Sequence, residues 1–225
     1  MGRDLLYAGG YARPWKDDPE EIKASRKEGD WHPATIDFKA TADASGGGTA
    51  VSSLTDLLNY LGGRGNGSVE ELIIIGHAAS GVFALGGQII KPQGGLSGNV
   101  KFTGGNYIND VVLSANATQI GATKVKFAEK AKIVLVGCNA GLGTTFLNQF
   151  ANAFGVCVLG FSEMVLTGFL DRPGTPPKIP AAITSRGHVY VDTSGLKALG
   201  MMPDVVNWTK DVGNLKPDAK SSNCP

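Results

Sequence analysis

The sequence has almost no imbalance of charge: 21 Lys and Arg stand against 20 Asp and Glu, a formal net charge of +1. No overall field draws such a chain onto nucleic acid or an anionic membrane, and nucleic-acid binding is set aside on that ground. Long hydrophobic runs are also missing. No stretch approaches the roughly 18 apolar residues that span a bilayer, and Met1 to Tyr11 lacks the charged start and apolar core of a cleaved signal. The expectation is a soluble chain, cytoplasmic or exported without a cleaved signal peptide, that does not enter a membrane. Cysteine is scarce, with three residues, Cys138, Cys157 and Cys224. An odd number without a close pair supports neither a disulfide framework nor a CxxC zinc site, so each cysteine is judged by its setting. No fixed repeat period occurs, which argues against a solenoid or propeller.

What the chain does have is glycine, 32 residues, concentrated in turns at 46–48, 62–67, 81–98 and 104–105. Its 225 residues suffice for one large core that buries about 70% or more of the unfolded surface. The reading is one α/β domain over residues 1–215 and a flexible polar tail over 216–225. A charged segment, Lys16 to Asp30, reads as a solvated excursion, as does the proline-rich stretch 172–180 as irregular chain.

Periodicity organises the rest. Val51, Leu54, Leu57, Leu58 and Leu61 recur at helical spacing, and Gly62-Gly63 supplies a stop. Glu71-Leu72-Ile73-Ile74-Ile75-Gly76 is a continuous β-branched run that suits a strand covered on both faces, as in a parallel sheet. It delivers His77 at its end. Gly81 to Ile90 suggests a hairpin around Gly86-Gly87, residues 91–106 a glycine-rich loop, and Tyr107 to Ala128 contains a helix. Ala131 to Gly137 repeats the buried-strand pattern and ends on Cys138. Phe146, Leu147, Phe150, Ala151 and Phe154 mark a helix face closed by Gly155, followed by a third apolar run to Gly160. Strand, helix and strand in that order imply a parallel crossover. The predicted architecture is a three-layer α/β sandwich, a mainly parallel central sheet flanked by helices. His188-Val189-Tyr190-Val191 reads as a late strand.

Two buried parallel strands thus end on a histidine and on a cysteine, and ligands in open α/β sheets bind beyond the carboxyl ends of the strands. A thiol attacks a carbonyl as its thiolate, which a neighbouring imidazole and a helix N-terminus favour. A helix expected to begin near Leu142 points its unpaired N–H groups toward the Cys138 turn, where amides can stabilise an oxyanion. Cys157 reads as a core residue, Cys224 as incidental, His188 as structural, and His32, beside Trp31, as surface or packing. The alternative of a phosphate loop over Gly137 to Thr145 lacks both a Walker lysine and the GxGxxG pattern.

The stretches Leu72 to His77 and Ile133 to Gly141, with histidine first in the chain, resemble the caspase-like cysteine peptidases, which include gingipains, clostripains, separase and self-processing toxin domains. The likeness covers roughly residues 50–165, and the 61-residue separation of His77 and Cys138 is near the roughly 50 described for caspases. It is to the wider group and its bacterial members. That family has glycine directly after its histidine where this chain has Ala78, and the caspase pentapeptide is absent, so no preference for Asp at the cleavage site is implied. The resemblance implies a cysteine-dependent hydrolase acting on a peptide or protein, with His77 as base and acid and Cys138 as nucleophile, and with neither metal nor organic cofactor. The backbone amides of Ala78 and Cys138 would hold the oxyanion, and Gly137, Asn139, Ser162 and Glu163 would border the substrate, Glu163 facing a basic side chain. The alternative is a caspase-like binding or effector module without activity.

Overall fold

The fold is built around one six-stranded sheet. A computed structural model describes residues 2–11, 38–39, 42, 46–90, 101–103, 106–162 and 217–225. Strand β1 (Arg3–Ala8) is followed by the short β2 (Gly10–Tyr11), by β3 (Thr49–Val51), and by helix α1 (Leu54–Gly62). Then come β4 (Val69–Ile75), β5 (His77–Ala79), β6 (Val82–Ala84), β7 (Gly86–Ile90), β8 (Lys101–Thr103) and β9 (Tyr107–Ile108). Helices α2 (Asp110–Ala115) and α3 (Ala117–Thr123) lead through a 3-10 turn to β10 (Phe127–Val136), α4 (Thr145–Phe154), β11 (Cys157–Gly160) and β12 (Ala219–Lys220).

The central sheet has the order β12-β11-β10-β4-β1-β3, with β12 antiparallel and the other five parallel. The mostly parallel sheet with flanking helices agrees with the sequence pattern. Leu72 to Ile75 of β4 and Ile133 to Val136 of β10 are buried at every position, as the continuous apolar runs require. At the amino ends, Glu71 accepts from Arg3 (3.4 Å) and Lys132 (2.8 Å) on its two neighbouring strands. These partly exposed pairs pin register more than they stabilise.

The helices start and stop for local reasons. Ser53 caps α1, its hydroxyl accepting from the Asp56 amide at 3.1 Å, and Asn109 caps α2 by accepting from Val112 at 2.9 Å. Gly155 ends α4 in the left-handed region with φ 75°. Buried Phe146, Leu147, Phe150 and Phe154 form the inner face of α4. α1 packs on α3, α3 on α4, and α2 on α4.

Several sequence expectations are corrected here. Val51 belongs to β3, because the Ser53 cap delays the helix to Leu54. The hairpin turns at Ser80 and Gly81 (φ 81°) between β5 and β6. Gly86 and Gly87 instead pair with Gly10 and Tyr11, at a backbone approach so close that a Cβ on Gly86 would collide with Gly10. α4 begins at Thr145, three residues beyond Leu142.

The largest correction concerns the tail. Residues 217–225 do not form the expected flexible tail: β12 pairs with β11, and Cys157 and Cys224, read as core and incidental, are joined in a disulfide. Among the described residues no helix is long and apolar enough to cross a membrane. The expected excursion at 16–30, the proline-rich stretch and the strand at 188–191 lie outside the described residues, as do His32 and His188; of the expected loop 91–106, residues 101–103 instead form β8, paired antiparallel with β7, and 91–100 lie outside the described residues.

Candidate functional site at the carboxyl edge of the sheet

β1 leads to β3 on one side and β4 leads to β10 on the other, so the chain reverses direction across the sheet between β1 and β4. Open α/β sheets form their binding crevice at such a reversal. His77 leaves the carboxyl end of β4 beside it, and Cys138 leaves β10 one strand away.

Two glycines bring these ends together. The β4–β10 register pairs Ile75 with Val136, and the Gly76 amide donates to the Val136 carbonyl at 3.0 Å, carrying the ladder one step further. A Cβ on Gly137 would lie 2.7 Å from the Gly76 oxygen and 2.8 Å from the Ala78 methyl. A Cβ on Gly76 would lie 2.6 Å from the Ala84 oxygen. Any larger residue would push the strand ends apart, so positions 77 and 138 follow directly from a close backbone contact between β4 and β10.

Beyond Gly76 the chain bends into the hairpin of β5 and β6, which places His77 at the hairpin's first position, opposite Ala84. The half-buried His77 ring meets the buried Phe38 ring edge-on, with centroids 5.1 Å apart and planes at 72°. Ala78 is buried, its methyl covering Gly137.

Beyond Gly137 the chain turns sharply. Asn139 takes a left-handed conformation (φ 56°), which asparagine tolerates better than most side chains. The Leu142 amide donates to the Asn139 carbonyl at 3.0 Å, and the Gly141 amide to the Phe161 carbonyl at 2.8 Å. Cys138 is half-buried and stands outside the disulfide. The Ser80 hydroxyl donates to the Leu142 carbonyl at 3.1 Å, tying the turn of the His77 hairpin to the Cys138 turn.

Ser162 follows β11, the next strand along the same edge. Its amide donates to Asp218 Oδ1 at 2.8 Å and its hydroxyl to Asp218 Oδ2. His77, Ala78, Gly137, Cys138, Asn139 and Ser162 therefore all lie at the carboxyl ends of β4, β10 and β11, whereas Glu163 is outside the described residues. Asp218 is the residue that sequence reasoning missed. It sits in a polar stretch with no periodicity, and only the pairing of β12 with β11 brings its carboxylate to this edge. The disulfide did leave a trace: once Cys138 is assigned to the strand end, an even pair of cysteines remains. Among the described residues no three His, Cys, Asp or Glu side chains gather in a way that would hold a metal ion.

The fold and edge define a mostly parallel α/β protein with a histidine and a cysteine just beyond the carboxyl ends of two adjoining strands. No protein-family model, no curated protein and no solved structure matches the chain.

Proposed function

We propose that the chain is a cysteine-dependent hydrolase of the caspase-like, three-layer kind that cleaves a peptide bond with His77 and Cys138. The observation that carries this reading is the closure of the two strand ends through Gly76 and Gly137, together with the Ser80–Leu142 bond between the loops that follow them. In the proposed reaction His77 takes the thiol proton of Cys138, and the thiolate attacks the carbonyl carbon. The developing oxyanion is held by the amides of Cys138 and Ala78. Collapse of this intermediate breaks the C–N bond, and His77 returns the proton to the leaving amine. Water, deprotonated by His77, then hydrolyses the thioester and regenerates the thiol. A peptide or protein substrate lies along the strand ends, past Asn139 and toward Ser162.

A second reading, a caspase-like binding or effector module without turnover, is favoured by one feature: the buried Ala78 methyl occupies the place after histidine where the resembled family has glycine. As to location, the Cys157–Cys224 disulfide supports export over residence in the reducing cytoplasm.

Profiling of a peptide library with the wild type and Cys138→Ala tests the reaction. Cleavage by the wild type alone supports it. A parallel titration with iodoacetamide separates the two readings, since an activated Cys138 reacts faster at neutral pH than free cysteine and a merely structural thiol does not. Absence of both cleavage and enhanced alkylation leaves the module without turnover.

A further inference from the structure

The segment 217–225 returns to the edge of the sheet that carries Cys138. Its regular structure is slight, since β12 spans two residues paired to Leu159 and Gly160. Within it only Ser221 is buried. Two-residue edge strands with little apolar burial do not hold themselves in place. The segment is secured at its far end by the Cys157–Cys224 disulfide and by hydrogen bonds along the way. Ser221 exchanges bonds with Val158, its amide donating to the carbonyl at 2.9 Å and its hydroxyl accepting from the amide at 2.9 Å. The Ser222 amide donates to Asn148 of α4 at 2.6 Å, and the Asn223 amide group to the Val156 carbonyl at 3.0 Å.

At its near end the same segment touches the candidate site twice. Ala219 packs so closely on Gly141 that a Cβ there would collide with its methyl, and Asp218 holds both the amide and the hydroxyl of Ser162. Gly141 is part of the turn that fixes Asn139 in its left-handed conformation. Beside the Ser80–Leu142 and Gly141–Phe161 hydrogen bonds, one support of the Cys138 turn therefore runs from the disulfide through β12 to Ala219.

We propose that the Cys157–Cys224 disulfide is a redox latch on the Cys138 turn: oxidised, it holds β12 against Gly141 and Ser162, and its reduction releases 217–225 and slackens the turn. The latch rests on the hydrolase reading only for its consequence, loss of turnover in a reducing medium. Both sulfurs belong to half-buried residues and are within reach of a thiol reductant. One reductant thiolate attacks a protein sulfur, forms a mixed disulfide and expels the other cysteine as thiolate; a second reductant thiol displaces the first. One protein S–S bond breaks and one reductant S–S bond forms, while two electrons and two protons pass to Cys157 and Cys224.

Hydrogen exchange on oxidised wild type and on the double variant Cys157→Ser/Cys224→Ser tests the latch. In both proteins Cys138 is the single thiol, so iodoacetamide reports on it without interference. The expected result is at least tenfold faster exchange of the Gly141, Leu142 and Ser162 amides in the variant, a changed alkylation rate at Cys138, and unchanged protection in β4 and β10. Peptide cleavage falls at least tenfold in parallel. Unchanged exchange at 141, 142 and 162 overturns the latch, and so does loss of protection throughout β4 and β10, which would make the bond a staple of the whole fold. If wild type cleaves no peptide, the hydrolase reading fails while the exchange data still decide the latch. Should the double variant not fold, wild type with and without a phosphine reductant supplies the same exchange and cleavage readings, with alkylation of Cys138 read at its own peptide because Cys157 and Cys224 are then thiols too.

Discussion

The main chain of Gly76 and the α-carbon of Gly137 approach so closely that a methyl group on Gly137 would lie 2.7 Å from the Gly76 oxygen. This contact joins the carboxyl ends of β4 and β10, and it leads to the first prediction. Gly137→Ala overpacks the junction against Gly76, Ala78 and Phe83, and is expected to lower stability by about 1–3 kcal/mol in urea denaturation. Gly121→Ala, in α3 with open space around it, is expected to leave stability unchanged or raise it by up to about 1 kcal/mol. Equal effects of the two substitutions would show that the junction is slack.

Cys138→Ser keeps nearly the volume of the thiol while replacing a good nucleophile with a poor one. Its melting temperature is expected to stay near that of wild type, while peptide turnover falls to background. His77→Ala should lose a similar amount, and the double variant should be little worse, because residues that act as a unit are not additive. Turnover retained in Cys138→Ser would end the hydrolase reading.

Ser221, only 1% exposed, accepts from the Val158 amide and donates to Asn223 at 2.6 Å. Ser221→Ala leaves the Val158 amide without this acceptor in a buried place. The expected cost is about 1–3 kcal/mol, read from denaturation under conditions that keep the disulfide intact. A cost near zero would mean that β12 contributes nothing to the sheet.

Tyr60 lies on α1 beneath the Arg64 guanidinium, 5.8 Å from the ring centroid. Burial, and then the negative charge of Asp4, raise the pKa of its hydroxyl above the ordinary tyrosine value, while Arg64 opposes them. In the unfolded chain the hydroxyl ionises first, near pH 10. Above that pH the native state binds more protons than the unfolded one, so the contribution is complete below about pH 10 and declines as pH rises. Relative to Tyr60→Phe, wild type should lose stability as pH rises above about 10 in isothermal urea titrations. A constant difference across that range would refute the assignment.

Much of the frame was legible because burial on both faces leaves a mark that neighbours in sequence share. Leu72 to Ile75 and Ile133 to Val136 are unbroken apolar runs, and only the centre of a parallel sheet accommodates such runs as strands. Phe146 to Phe154 repeat at helical spacing and stop at a glycine, and α4 follows that pattern. Glycines were less informative. Gly86-Gly87 and Ser80-Gly81 look alike as turn signals, and the choice between them fell to the pairing of β7 with β2, some 75 residues earlier in the chain.

The sequence by itself determined two buried strands, the residues at their ends, and hence the candidates His77 and Cys138. Apolar periodicity and strand termination are local properties, written in consecutive residues. Only the tertiary structure decided that these ends adjoin, that Cys157 pairs with Cys224, and that Asp218 reaches Ser162. Each of these joins segments from 56 to 67 residues apart, with the two strand-end candidates 61 apart. Contacts at that separation depend on sheet order and register, which arise from the packing of the whole core and leave no periodic trace in a polar stretch such as residues 217–225.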